Sequence, residues 1–149
     1  MVKLKHRYFL IEVVFEDNFS KATQYDIIKE IKDKVLEMYG DYGLGTLNST
    51  FGVSVSEIGK GLIVIKVGIE SVNFLRGSLP FIVKAGKASC VLKILLEAAS
   101  IRTINKKMVR INLDQLYDKL SNSKTIKEKM EIQKGIVQVT GTNAERVRF

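Results

Sequence analysis

Between residues 8 and 15, Phe9, Ile11, Val13 and Phe15 alternate with Tyr8, Leu10, Glu12 and Val14, the two-residue period of a strand with one wholly apolar face. Asp17-Asn18 interrupts the run, and Thr23 with Asp26 three residues later marks a helix start. Ile27, Ile28, Ile31, Val35, Met38 and Tyr39 then form one stripe, while Lys29, Glu30, Lys32, Asp33, Lys34 and Glu37 occupy the rest of the wheel. That pattern predicts a scaffold helix with a solvated, mixed-sign face, ended by Gly40-Asp41-Tyr42-Gly43. From Thr46 to Ser56, Leu47, Phe51, Val53 and Val55 alternate with Thr46, Asn48, Thr50, Ser54 and Ser56, which predicts a strand with a core face and a hydroxylic open face. Gly59-Lys60-Gly61 reads as a tight turn into a further strand, with Ile63, Ile65, Val67 and Ile69 on one face and Leu62, Val64, Lys66 and Gly68 on the other.

Ser71 to Ala85 carries Val72, Leu75, Leu79, Ile82 and Val83 at helical spacing, interrupted by Pro80, which has no N–H to donate and must kink or divide the helix. Gly86 closes that segment. Cys90, Leu92, Ile94 and Leu96 predict a fourth strand, which breaks at Ala98-Ala99-Ser100 and restarts as a basic helix. On that helix Arg102, Lys106 and Arg110 stack at i, i+4 and i+8, with Ile101, Ile104, Met108 and Ile111 on nearly the opposite side. Ser100 stands where an N-cap belongs, so the free N–H groups just beyond it lie beside Arg102, a pairing suited to phosphate. Leu113, Leu116, Tyr117 and Leu120 extend the apolar stripe, and Thr125 with Glu128 opens a last helix whose stripe of Ile126, Met130 and Val137 is thin.

The order β-α-β-β-α-β predicts an α+β fold, a four-stranded antiparallel sheet of ferredoxin- or RNA-recognition-motif-like topology with extra C-terminal helices. Residues 1–140 are expected to form one domain and 141–149 a flexible tail. Two helices cover one sheet face. The other is half-apolar, and Tyr8, Leu10, Val14, Leu62, Val64, Val91 and Leu95 on it are the candidate protein interface.

Charge sharpens this picture. The 149 residues carry a formal net charge of +8, and the pI is near 9.6, which favours an anionic partner. The excess gathers at Lys3, Lys5, His6 and Arg7, at Lys84 and Lys87, and at Arg102, Lys106, Lys107 and Arg110. The start of the chain is neither a secretory segment nor a membrane span, and one cysteine permits no intramolecular disulfide, so an intracellular, soluble protein with no membrane partner is expected.

Catalytic chemistry is sparse. With one histidine, His6, and one cysteine, Cys90, no His/Cys metal site can be assembled, and a cysteine among strand hydrophobes makes a poor nucleophile. Glu12 and Glu97 are expected on the open sheet face as ordinary polar residues, and the glycine-bearing stretches match no phosphate-binding loop. RNA-recognition motifs stack bases on aromatics of their central strands, but only Tyr8 is placed to do so here. Binding by charge to folded RNA, read through shape and phosphate, is the remaining nucleic-acid mode.

The chain also resembles a known family. Met1-Val2-Lys3-Leu4-Lys5-His6-Arg7-Tyr8, which looks like the eukaryotic form of the start, Gly40-Asp41-Tyr42-Gly43 followed by Asn48-Ser49, Gly61 to Lys66, Ser78-Leu79-Pro80-Phe81-Ile82 and Ser100-Ile101-Arg102-Thr103 occur in the order found in the Pop-five protein subunits of ribonuclease P and ribonuclease MRP. The likeness spans about residues 1 to 120. It departs where the family's Gly-Thr-Ile junction is Ala99-Ser100-Ile101, which keeps the hydroxyl cap, and where an acidic tail gives way to Arg146 and Arg148.

The resemblance implies a noncatalytic protein on a large RNA that, with Mg2+ bound to the RNA and no cofactor on this chain, removes the 5′ leader of precursor tRNA. It implies a TIM-barrel subunit and a small subunit of similar fold as partners. It also implies a nuclear and nucleolar location, or a cytoplasmic one in an archaeon. Lys3, Lys5, Arg7, Ser100, Arg102, Lys106 and Arg110 are the candidate RNA contacts. The competing readings are a protein-interaction module whose charge serves only solubility, and a stand-alone nuclease.

Overall fold

The computed structural model describes residues 5–16, 22–55, 61–123 and 125–141. Lys3, the break at Asp17-Asn18, the turn residues Gly59 and Lys60, and residues 142–149 of the expected tail lie outside them. Five strands, β1 (His6–Phe15), β2 (Gly52–Val55), β3 (Leu62–Gly68), β4 (Lys84–Ala85) and β5 (Ala88–Ala98), form one sheet in the order β2-β3-β1-β5-β4, every adjacent pair antiparallel. Four of them are the expected strands in the expected order. The fifth, β4, is a two-residue edge strand, and it corrects the count. Gly86, at φ +62°, makes the tight return from β4 to β5.

The helices are α1 (Gln24–Asn48), α2 (Val72–Ser78), α3 (Ile101–Asn122) and α4 (Ile126–Gly141). The expected start of α1 is a full capping box. Thr23 Oγ1 accepts from the Asp26 N–H at 3.2 Å, and the Asp26 carboxylate accepts from the Thr23 N–H at 2.9 Å. Hydrogen bonds from the Thr23 side chain and then its backbone hold the Asp26 carboxyl below its ordinary pKa. A carboxyl whose folded pKa is depressed adds stability that is fully present above its unfolded pKa and is lost as pH falls through the folded pKa. Thr23→Ala is therefore expected to cost about 1 kcal/mol at neutral pH, the usual cost of losing an N-cap hydroxyl, and less below about pH 4. Urea unfolding at pH 7 and pH 3 checks both values, and an equal cost at both would contradict the capping-box account.

Gly40 does not end α1. It breaks the helix locally (φ 67°, ψ −164°), after which the chain resumes helical turns through Asn48, so the strand expected from Thr46 begins only at Gly52. The misleading signal is the pair Leu47 and Phe51. Their spacing of four fits a helical face as well as an alternating strand, and the helical arrangement buries Leu47 completely. Pro80 divides the Ser71–Ala85 segment as expected: α2 stops at Ser78, a 3-10 turn runs Leu79–Phe81, and extended chain leads to β4.

The sheet is covered on both sides. On one, α1 and α2 bury Phe9, Ile11, Val13, Ile63, Ile65, Val67, Cys90 and Leu92 with Ile31, Val35 and Leu75. On the other, Ile104 and Met108 of α3 pack on Leu10, Leu62 and Val64. The basic helix therefore lies across the middle of the face expected to be open. A register shift between Leu10 and Ile11 inserts one extra residue into β5, so Leu10 opposes Leu96 whereas Ile11 opposes Ile94. The bulge reverses side-chain parity, placing Leu96 with Leu95 and Ala98 in the α3 cluster rather than with Cys90, Leu92 and Ile94. It also turns Glu97 away from the face assigned to it, and its carboxylate meets Arg76 of α2 at 2.7 Å. α3 is a single helix through Asn122, and α4 packs back along it. The Ile126, Met130 and Val137 stripe expected to dock α4 is exposed, while Ile132, Gly135, Ile136 and Val139 are partly buried.

Candidate nucleic-acid interface

Ser100, in extended backbone, caps α3 by accepting the Arg102 N–H at 3.2 Å. Ile104 at 0% exposure, Met108 and the buried Asn112 then fix one side of the helix toward the sheet. With that side fixed, Arg102, Lys106, Lys107 and Arg110 must point outward, and all four are exposed. A rise of 1.5 Å per residue spreads Arg102, Lys106 and Arg110 over about 12 Å. The three ion pairs among the described residues, Lys34–Glu37, Arg76–Glu97 and Lys93–Glu12, include none of these cations. Their charge is available to a partner.

The stripe has a limit that the composition conceals. Continued at the same spacing beyond Arg110, it meets the exposed acids Asp114 and Asp118, so α3 is basic in its first half and acidic in its second. This boundary was legible in the sequence, since the four-residue spacing that groups the cations also reaches the two acids. On the same helix the Asn105 Oδ1 is buried and, among the described residues, has no hydrogen-bond partner.

The remaining candidates are not on the same surface. Arg7 is half-buried and shares its strand face with Phe9 and Ile11, whose side chains face α1 and α2, so it lies on the opposite side of the sheet from α3. Lys5 is exposed just before β1, and its carbonyl accepts the Ile69 N–H at 3.0 Å. Tyr8 pairs with Ala98, two residues before Ser100, so β1 begins at the end of the sheet where α3 starts. Lys5, Arg7 and Arg102 thus surround one end of the sheet from both sides, a belt rather than a plane.

Leu10 at 0%, Leu62 at 3% and Val64 at 0% exposure belong to the core beneath α3, which corrects the expectation that they face a partner. Tyr8 and Leu95 pack against the margin of the same cluster. Of the seven candidate interface residues only Val14 and Val91, opposed across β1 and β5, are well exposed. Their face also carries Glu12 and Lys93, 3.9 Å apart. Base stacking on the sheet face is obstructed by α3 itself.

Cys90 is buried, and burial first, then the negative charge of Glu30, pushes its thiol pKa up. Cys90 pairs with Phe15 at one end of β1 and His6 lies at the other, about 30 Å away at 3.3 Å per residue. They cannot form a nucleophile–base couple. No group of three or more His, Cys, Asp or Glu able to hold a metal, and no helix long and apolar enough to cross a membrane, occurs among the described residues.

A model of the Rpp14/Pop5 family matches residues 7–109, more than half of the chain. The chain belongs to the Rpp14/Pop5 family. In this family member the matched stretch takes in β1 through β5 and the start of α3, ending one residue before Arg110. It is 28% identical over 144 residues to ribonuclease P/MRP protein subunit POP5 of Bos taurus, covering 93% of this chain and 85% of the relative. It is 29% identical over 145 residues to the Danio rerio subunit of the same name (92% and 86% covered). With the Homo sapiens subunit the figures are 26% over 144 residues, with 93% and 88% covered. A chain in the cryo-EM structure of yeast ribonuclease MRP is similar in fold, with a TM-score of 0.53 at 14% identity and 95% of each chain covered.

Proposed function

We propose that this Rpp14/Pop5 family chain is a noncatalytic, RNA-binding protein subunit of ribonuclease P and of ribonuclease MRP. It supports the RNA that carries out 5′-leader removal from precursor tRNA and processing of rRNA. The single observation that carries the reading is the α3 stripe: exposed cations without acidic partners, on a helix locked to the sheet by Ile104 and Met108. Such cations neutralise phosphates without reading bases, as a scaffold for folded RNA requires. The role of the vertebrate relatives, subunits of ribonuclease P/MRP, supports it.

On this reading Arg102, Lys106 and Arg110 hold phosphates along the exposed side of α3, and Lys5 and Arg7, with Lys3 ahead of them, extend the contact around the end of the sheet. Mg2+ belongs to the RNA. Protein neighbours are a TIM-barrel subunit and a small subunit of similar fold, and the assembly is nuclear and nucleolar. Purification of the tagged chain from its own cells, with sequencing of the bound RNA, is expected to recover ribonuclease P RNA and ribonuclease MRP RNA. Recovery of neither would overturn the proposal, and recovery of one alone would restrict it to that particle.

A further inference from the structure

The outer edge of β5 has only a short strand partner, and beyond it the turn Leu79–Phe81 lies nearby. Its neighbour β4 supplies only the pairs Lys84↔Ser89 and Ala85↔Ala88, followed by one more hydrogen bond from the Cys90 N–H to the Val83 carbonyl at 3.0 Å. Because the Ser89 carbonyl accepts from the Glu16 N–H, Ser89, Val91 and Lys93 turn their backbone groups toward β1, and Cys90 and Leu92 turn theirs outward. Leu92 is thus the first residue of the edge with an outward N–H and C=O and, among the described residues, no strand to receive them. Around this edge stand Phe81 (59% exposed), Val83 (68%) and Val91 (62%), with Val14 (50%) beside Val91.

We propose that this edge receives an extended, acidic segment of a protein partner, added as a further strand beyond β4. The backbone supplies the ladder, Phe81, Val83 and Val91 supply contacts for alternate side chains, and the exposed Lys84, Lys87 and Lys93 offer cations to the partner's acids. Lys84 and Lys87 have no ion-pair partner among the described residues, and Lys93 has only Glu12 at 3.9 Å. Three acids lie near this edge: Asp26, at the Gly86 hairpin and held by Thr23, Glu30, close enough to act on the Cys90 thiol, and the exposed Glu16 beside Ser89. Against them the three lysines leave the surface with no more than a balanced charge before a partner's acids are added.

A second copy is a poor occupant, since pairing two such edges sets lysines against lysines. The chain's own residues 142–149 carry Arg146 and Arg148 against Glu145, the wrong net charge. Four exposed apolar side chains offer nothing to phosphate. Lysines also protect bare edges from aggregation, a role that would need no apolar rim. The surface lies at the opposite end of β5 from Ser100, so it stands whether or not α3 binds RNA.

The test uses the full chain. Random decapeptides are selected on it, and the affinity of the selected peptides is measured by fluorescence anisotropy against the chain, V83E/V91E and K84E/K87E, with amide exchange at Leu92 followed by NMR. The selected peptides are expected to alternate apolar and acidic residues and to slow Leu92 exchange. Both variants are expected to lose tenfold or more in affinity, while R102E/K106E/R110E loses only the small share due to long-range attraction, about threefold or less. The proposal fails if no peptide is selected, if the selected peptides lack acids, if the variants bind them as well as the parent chain, or if Leu92 exchange does not change. Loss of structured-RNA binding in V83E/V91E without peptide binding would assign the edge to RNA. Micromolar self-association that is lost in V83E/V91E would assign it to a second copy. Either result overturns an acidic strand.

Discussion

Reversing Arg102, Lys106 and Arg110 to glutamate is expected to weaken binding to structured RNA at least about a hundredfold and to make its logarithmic salt dependence shallower by about 2 to 3, roughly one unit for each phosphate no longer neutralised. The fold should survive, because all three side chains are exposed and the helix is held from its other side by Ile104, Met108 and Asn112. The necessary control alters net charge by the same amount elsewhere. Reversing Lys127, Lys129 and Lys134 on α4, which are exposed and in none of the three ion pairs, is expected to cost far less, because only long-range attraction is removed there. Filter binding between 50 and 200 mM salt, with thermal unfolding of each variant, makes the comparison. Equal losses in the two triple variants would mean that net charge rather than the α3 stripe holds RNA, and no loss in either would reject RNA binding by this surface.

The second large effect concerns two residues on the same face of the same strand. Leu10→Ala is expected to destabilise the protein by about 3 to 5 kcal/mol, the range for emptying a packed site in a core. Val14→Ala should cost less than about 1 kcal/mol. They are four residues apart in β1, and their difference rests on α3, which leaves Leu10 at 0% exposure and Val14 at 50%. Urea unfolding measures both. Leu10→Ala should also loosen α3 and carry its basic stripe out of position, so RNA affinity is expected to fall with stability for Leu10→Ala and to remain near the parent value for Val14→Ala. Similar costs at the two positions would mean that α3 does not cover this face.

Much of the framework could be read from residue order. Alternation identified β1, β3 and β5, the Thr23–Asp26 pair identified the start of α1, Pro80 the division after α2, and Ser100 the cap of α3, because each of these is decided within a few residues by hydrogen bonding or backbone geometry. The α3 cations were legible for the same reason, as a helical period brings Arg102, Lys106 and Arg110 together wherever the helix is packed. Reading failed where local patterns were degenerate. Leu47 and Phe51 fit either period, and burial of Leu47 settled the choice for the helix. The bulge in β5 left no mark that distinguished Leu95 from its neighbours, yet it moved Leu96 and Glu97 to opposite faces from those expected.

The sequence alone therefore determined β1, β3 and β5, the start of α1, the division after α2, and the existence of a basic helical face. These follow from periodicity and capping, which act over one or two turns of chain. Only the tertiary structure decided where that helix lies. By seating α3 on Leu10, Leu62 and Val64 it converted an expected partner surface into core, left Val14, Val91 and the β5 edge uncovered, and set the α3 cations on the opposite side of the sheet from Arg7. The physical reason is that a half-apolar sheet face gains the same burial from its own helix as from another protein, and the residues on the face do not record which of the two will cover them.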